Sequence, residues 1–397
     1  MTALSDIRVL DLTRIFAGPW ASQMLADFGA DVVKVEHPRG GDDVRKMGFP
    51  QRDDSGVDTG ETSSFLAVNR GKRSVTLDMT QEEERDKLIE LATRADVLIE
   101  NFKTGGLSKY GLDYQSISGS NPGLIYCSIT GFGQDGPYAA LPGYDPIFQA
   151  MSGLLSITGT ADEGEGSRPA LVGYSVSDIN AGFYAAIAIL AALHHRDLTG
   201  EGQHIDLALL DAQFAAHSHI AMNYLVSGKM PVRAGTASQI NTPWQSFDTA
   251  DRPLMIAVGN DRQFAQLCES LGIAGLASDP RFDTNRDRMA NKPALLPLLQ
   301  QALLARKASD WVEILNAVGI SSGPLNDFGA AVADPQIAHR QMIREMPHPK
   351  AGTMNFIANP IRFSRTPVRY DRPPPLLGQH NSEVLVDWLG ADVEDDQ

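Results

Sequence analysis

The chain has 397 residues, 43% of them hydrophobic and 21% charged, with a formal net charge of −15 at pH 7. That length and apolar content allow two compact domains with a proper core, and so acidic a balance is repelled by phosphate backbones and anionic membranes, which excludes nucleic acid and membrane surfaces as natural partners. The two cysteines, Cys127 and Cys268, lie far apart, which supports neither a disulfide framework nor a metal cluster and suits a reducing compartment.

The N-terminal stretch "MTALSDIRVLDLTR" is charged within its first eight residues and has no signal-peptide core. The opening then reads strand, turn, helix, strand. "IRVLDL" (7–12) is a short aliphatic strand. "TRIFAGP" turns, with Pro19 suited to the start of a helix. "WASQMLADFGA" has helical apolar spacing and closes on Gly29 as a C-terminal cap, and "DVVKVE" (31–36) is the next strand. Further strands are expected at "SVTLDM" (74–79), "DVLIEN" (96–101) and "LIYCSIT" (124–130), with the charged helix "TQEEERDKLIELATRA" between the first two. This alternation predicts an α/β, doubly wound first half. The polar stretch 51–62 reads as a loop.

"GFYAAIAILAAL" (182–193) is a long apolar helical segment. Its core run, near Phe183 to Leu193, is about 11 residues against the roughly 18 needed to span a bilayer. A soluble, cytoplasmic protein is therefore expected. After Asp211 the texture changes. "AQFAAHSHIAMNYLVSG" reads as one helix, 229–244 as a loop, 245–261 as a hairpin, and three helical stretches follow to about Ala330. The expected division is a large domain from 1–210 and 335–397 and a small α+β domain from 211–334. The prolines Pro373 to Pro375 force an extended crossing segment.

The opening βαβ unit invites a dinucleotide reading, because Glu36 ends its second strand where an acid binds ribose. The turn carries only Gly18, not G-x-G-x-x-G, which argues for an ordinary α/β start. Two basic clusters stand out. Arg70, Lys72 and Arg73 precede a strand. Lys103 and Lys109 follow one, where the carboxyl ends of parallel strands meet ligands. A phosphate-bearing ligand needs such cations in so acidic a chain, although basic residues in loops are more often simply solvated. "SITGFGQDGP" (128–137) is a Gly-punctuated turn. Asp145 precedes a short helix as an N-cap. His194 and His195 suit a helix C-terminus. His204, His217 and His219 have no metal-ligand spacing, and no G-x-S-x-G supports a hydrolase serine. No metal site is expected.

Asp178, in "VSDINAG", stands at the mouth of the apolar helix. It can cap that helix. It can also do chemistry, because a helix N-terminus is expected to keep a carboxylate ionised at neutral pH, and an ionised carboxylate can attack an activated acyl group. Ala181 and Gly182 leave room for a substrate.

Several segments together resemble the class III CoA-transferases, the family of the formyl-CoA and carnitine CoA-transferases. They include "VLDLTRIFAGPWASQMLADFGADVVKVEHP", "NRGKRSVTLDM", "ADVLIENFKTGGLSKYGL", "NPGLIYCSITGFGQDGP", "GYDPIFQAMSGLLSITG", "DINAGFYAAIAILAAL", "TGEGQHIDLALLDA" and "RPPPLLGQH", in family order across nearly the whole chain. The resemblance implies a Rossmann-like large domain built from both chain ends, a smaller central domain, and an interlocked homodimer. It implies that coenzyme A and acyl-CoA are substrates, with no permanently bound cofactor, and that the partners are an acyl-CoA and a small carboxylic acid.

By the same resemblance Asp178 is the catalytic nucleophile, forming an acyl anhydride and then an aspartyl-CoA thioester. The implied CoA contacts are Phe16 and Ala17, His37, Leu77, Asp78, Met79 and Thr80, Asn101, Phe102 and Lys103, and Lys109, with Tyr144 and Asp145 near the site. Phe16 stands where the formyl-CoA enzyme has glutamine. His37 and Lys109 stand where it has arginines, which implies less bidentate phosphate binding. The loop 235–244 replaces that enzyme's glycine-run lid. The 2-methylacyl-CoA racemase branch carries a histidine in "GHD". Here the triplet is "GYD", and a tyrosine with a pKa near 10 is a poor base for that proton transfer. "IYCSITGFGQDGP", "HIAMNYLVSGK", "RAGTA", "GPLND" and "RPPPLLGQH" resemble the succinyl-CoA:glutarate branch, which implies a dicarboxylic acceptor. Arg45 and Arg233 are candidates for its second carboxylate.

Overall fold

The structure, a computed structural model, describes residues 2–162 and 166–390. The described chain forms two compact units, one of 2–154, 172–226 and 336–390, the other of 155–162, 166–171 and 227–335.

The larger unit follows the expected alternation. It runs β1 (Arg8–Asp11), α1 (Ala17–Asp27), β2 (Asp31–Glu36), β3 (Pro50–Arg52), β4 (Asp58–Thr62), α2 (Ser63–Val68), β5 (Lys72–Thr76) and α3 (Glu82–Arg94). Then come β6 (Val97–Glu100), α4 (Tyr114–Ser118), β7 (Ile125–Thr130), α5 (Asp145–Met151) and, at the first boundary in the chain, α6 (Leu154–Ile157). The unit resumes with α7 (Val176–Thr199), β8 (Gln203–Ala208), α8 (Leu209–Ala216) and α9 (Ser218–Ser227).

Six strands make one sheet in the order β5-β2-β1-β6-β7-β8, every neighbouring pair parallel. Counted along the chain, the members stand 3-2-1-4-5-6, the doubly wound order whose switch point lies between β1 and β6. Alternating side chains feed two cores. Val9, Val32, Val97, Ile99 and Ile125 join α1 and α7 on one face. Leu10, Val33, Val75, Leu98 and Tyr126 join α3 and the C-terminal Trp388 on the other.

Several expectations shift. Residues 51–62 form the β3–β4 hairpin rather than a loop. The strand expected at 74–79 begins at Lys72, because Lys72 and Arg73 enter the sheet already paired with carboxylates. The single helix expected after Asp211 is two, broken at Ser218, whose φ is 35°. α8 packs into the large core through Leu209 and Ala212, so 211–226 belongs with the large unit rather than with the small domain as drawn from sequence. α7, with 24 residues, is long and apolar enough by length and composition to cross a membrane, unlike the short run inside it. Its Ala181, Ala185 and Ile189 are instead fully buried in the core.

The smaller unit holds β9 (Trp244–Phe247), β10 (Leu254–Ala257), α10 (Asp261–Ser270), α11 (Asn285–Ala290), α12 (Lys292–Leu303), α13 (Ala308–Ala317) and β11 (Ser321–Pro324). Its three strands are antiparallel, in the order β11-β10-β9, and pack on Phe264, Leu267, Leu299 and Trp311. The chain then returns to the large unit through the hairpin of β12 (Ile343–His348) and β13 (Gly352–Ile357).

The proline-rich segment leads to a tail that caps edge strand β5. The Ser74 N–H donates to His380 Nδ1 at 3.1 Å, the His380 N–H donates to the Ser74 carbonyl at 2.9 Å, and the Thr76 N–H donates to Asn381 Oδ1 at 2.8 Å. An otherwise open edge is closed by the chain's own end.

Candidate active site

The carboxyl ends of β1, β2, β5 and β6 open on a cavity of about 170 Å³ lined by Thr13, His37, Leu77, Asp78, Met79, Thr80 and Phe102, with Glu36 and Asp42 in its wall. Six of the residues expected to hold CoA thus meet in one place, at the switch point. His37 Nδ1 accepts the Arg39 N–H at 3.0 Å, and its Nε2 lies 3.5 Å from Asp78. Asp78 accepts the Thr80 hydroxyl at 2.6 Å and N–H at 3.0 Å, which fixes the turn around Met79. Those two bonds hold the Asp78 carboxyl below its ordinary value.

Behind Thr13 and Asp42 of the cavity wall lies a buried charge network. Asp11 accepts from Thr13, Ser22 and Lys72, with Lys72 Nζ at 3.0 Å. Lys34 Nζ donates to the Thr13 carbonyl at 2.8 Å and lies 2.9 Å from Asp42. Burial pulls Asp11 up, but Lys72 and Lys34 outweigh it and hold it far below the carboxylate range. Burial brings Lys72 down to about 8.

Glu36, the residue a ribose would need, is already filled. Arg45 binds it with two bonds, of 2.7 and 2.8 Å, and Ser74 adds another at 2.8 Å. Arg45 also reaches Glu61 at 3.3 Å, so it is not a free cation for a second carboxylate. Arg233 is likewise committed, to Asp162 and Ser167. Of the first basic cluster, Arg70, Lys72 and Arg73 are all buried and paired, with Asp27, Asp11 and Asp31. They hold the fold rather than a phosphate.

Other expected contacts separate from the cavity. The Asn101 side chain is engaged on both sides of Arg14: its Oδ1 accepts the Arg14 N–H at 2.9 Å, and its Nδ2 donates to the Arg14 carbonyl at 2.7 Å. Lys109 lies over the Tyr110 ring at 4.6 Å. Lys103 lines a neighbouring cavity of about 210 Å³ with Glu100, Ser128 and His204. There Ser128 Oγ and His204 Nε2 are 3.0 Å apart, and His204 stacks on Tyr114 at 5.3 Å. No spacing in the sequence marked that pair. Among the described residues, no group of three His, Cys, Asp or Glu is placed to hold a metal.

Asp178 is the third residue of α7, whose N-cap is Ser175, so it does not cap the helix. Asp145 does that work from α5, where it is the first helical residue and not the N-cap. Its Oδ1 accepts the Ser177 N–H at 2.7 Å, and its Oδ2 accepts Gln149 Nε2 at 2.6 Å. Gln149 also accepts the Val172 N–H at 2.9 Å. From α8, Gln213 Oε1 accepts Ser177 Oγ at 3.3 Å and Asn180 Nδ2 at 3.2 Å. Both glutamines were invisible in the sequence. Tyr144 beside them is 73% exposed.

The expected ionised state of Asp178 is corrected. Burial first, and the Asp145 charge second, push its pKa up to about 7. Among the described residues neither carboxylate forms an ion pair. A partly desolvated carboxylate that ionises near neutrality has the chemistry of a nucleophile for an acyl carbon. Gly182, one turn on, has no room for a side chain: a Cβ there would come within 2.8 Å of the Ala17 carbonyl.

A doubly wound sheet with a cavity at its switch point, and two carboxylates set close together where α7 begins, is the architecture of an α/β enzyme. A family model for CoA-transferase family III matches residues 4–381, and the chain belongs to that family. It is 46% identical to the succinate–glutarate CoA-transferase of Agrobacterium fabrum over 384 residues, 97% of this chain and 95% of that protein. It is 39% identical to the human succinyl-CoA:glutarate CoA-transferase over 389 residues, 98% of this chain and 86% of that one. Among solved structures, a CAIB/BAIF family protein from Brucella suis is 44% identical with a TM-score of 0.86, covering 98% of this chain and 99% of its own.

Proposed function

We propose that the protein moves CoA from a succinyl-CoA-like donor to a free dicarboxylic acid such as glutarate. The observation that carries this reading is the near full-length similarity to enzymes named for that exchange. The acyl-CoA nucleotide occupies the cavity at His37, Asp78, Met79 and Thr80, and the large unit is the CoA-binding domain. The enzyme works in the cytoplasm as an interlocked homodimer and needs no permanently bound cofactor.

Asp178 carries the acyl group. Its ionised carboxylate attacks the donor thioester carbonyl, the C–S bond breaks, and an acyl-aspartyl anhydride and CoA thiolate result. The thiolate attacks the aspartyl carbonyl, which frees the donor acid and leaves an aspartyl-CoA thioester. The acceptor carboxylate attacks that thioester and expels the thiolate again, forming a second anhydride. The thiolate then takes the acceptor acyl group, and Asp178 is restored. Each thioester is exchanged for another acyl link of comparable activation, and water must be kept out because any of the intermediates would hydrolyse.

The test is incubation with succinyl-CoA and isotope-labelled glutarate, read by mass. Label appearing in glutaryl-CoA supports the reading. Hydrolysis without transfer, or loss of Cα deuterium from a 2-methylacyl-CoA without transfer, would contradict it.

A further inference from the structure

The turn that joins β1 to α1 is held in an unfavourable shape. Ile15 has φ of 70°, in the left-handed region that β-branched residues avoid. Three separate groups keep it there. Asn101 brackets the peptide groups of Arg14 from the end of β6, with the two bonds given above. Asp42 Oδ1 accepts the Ile15 N–H at 3.1 Å. Lys34 donates to the Thr13 carbonyl. Gly18 closes the turn from inside, since a Cβ there would lie 2.3 Å from Thr13. Strain maintained by this many contacts is a reason to look for what the turn presents.

The packing of α1 on α7 answers that. Both helices return across the same face of a parallel sheet, so they run in the same direction. Met24 and Phe28 share a cluster with Ala186. Trp20 meets Gly182 and, at 6.0 Å between rings, Phe183. One turn earlier on each helix come Phe16 and Asp178. The strained turn therefore ends opposite the first turn of α7. Phe16 has no polar side-chain atom, so any hydrogen bond offered there comes from backbone.

We infer that Asn101 is a positioning residue, which acts with Asp42 through the Ile15 turn to aim the backbone at Phe16 and Ala17 toward the acyl group on Asp178. This rests on the role proposed for Asp178, and it replaces the direct CoA contact that the family resemblance implied for Asn101. Preorganised backbone donors at a developing oxyanion are a large source of rate, and a misplacement of an ångström is costly.

A double-mutant cycle on kcat and KM tests it. Asn101→Ala lowers kcat about 30-fold and changes KM for the acyl-CoA by less than about threefold. Glycine adopts φ near 70° without strain, so in an Ile15→Gly background the same substitution lowers kcat no more than about fivefold. If Asn101→Ala fails to fold, Asn101→Asp serves. It keeps the acceptor for the Arg14 N–H, loses the donor to the Arg14 carbonyl, and lowers kcat about tenfold with the same sparing by Ile15→Gly. Equal kcat losses in both backgrounds, no loss at all, or a loss carried wholly by KM overturns the inference. The coupling is read on turnover alone, so it is judged separately from acylation of wild-type Asp178, whose absence would sink the functional reading instead.

Discussion

Two clusters of buried charge lie in the same unit and are built on opposite rules. Behind the switch-point cavity, Asp11, Lys34, Asp42 and Lys72 interleave opposite signs, and each carboxylate finds a donor. At the start of α7, Asp145 and Asp178 place like charges together, and among the described residues no cation pairs with either. The first arrangement holds one shape. The second gives up stability for a carboxylate whose proton is loosely poised near neutral pH.

The largest effect that would break this contrast is on turnover. Asp178→Ala is expected to lower transfer by more than about a thousandfold while leaving CoA affinity within about threefold, measured by steady-state assay and calorimetry. The matching change in the paired cluster acts on stability instead. Lys72→Met strips Asp11 of its nearest cation and is expected to cost about 3–5 kcal/mol in denaturant unfolding. Loss of turnover from Lys72→Met without loss of stability would erase the distinction.

A smaller effect sharpens it. The attack proposed for Asp178 needs its ionised form, so single-turnover acylation is expected to fall as pH drops below about 7. Asp145→Asn removes one of the two causes that raise Asp178 and keeps an acceptor for the Ser177 N–H. The acid limb is then expected to move down by about one pH unit. The smallest effect is again on stability, and its sign is opposite to that at Lys72. A carboxyl whose folded pKa lies above its unfolded value weakens folding once pH exceeds the unfolded value, increasingly up to the folded one. Asp178→Asn is therefore expected to stabilise the fold at pH 8 by about 1–2 kcal/mol, after allowance for the solvent that still reaches the side chain, with no gain below about pH 4.

The sequence was most legible where burial is apolar. "DVVKVE" predicts β2 to the residue, because a run of β-branched residues has few other solutions. It was least legible where charge is buried. Lys72 and Arg73 look like surface residues and are inside strand β5, since their partners come from β1 and β2. β8, "QHIDLA", escaped notice because its polar residues serve an exposed sheet edge. Asp178 was marked by a lone acid against an apolar helix, and His37 and 77–80 by family resemblance. The Gln149 bond to Asp145 follows the i, i+4 spacing of one helix, whereas the Gln149 bond to Val172 and the Gln213 bonds to Ser177 and Asn180 join residues 23 to 36 positions apart and leave no spacing. The ionisation of Asp178 differs from the sequence expectation because the helix end is a local feature, whereas burial of the side chain and, second to it, the closeness of the Asp145 charge come from tertiary packing.

The account turns on whether Asp178 is acylated during turnover. Wild-type enzyme given acyl-CoA and quenched with hydroxylamine should yield, on peptide mapping, a hydroxamate at Asp178 that Asp178→Asn never forms. Active transfer with that peptide unmodified at every time point, or with the adduct on another residue, would contradict it.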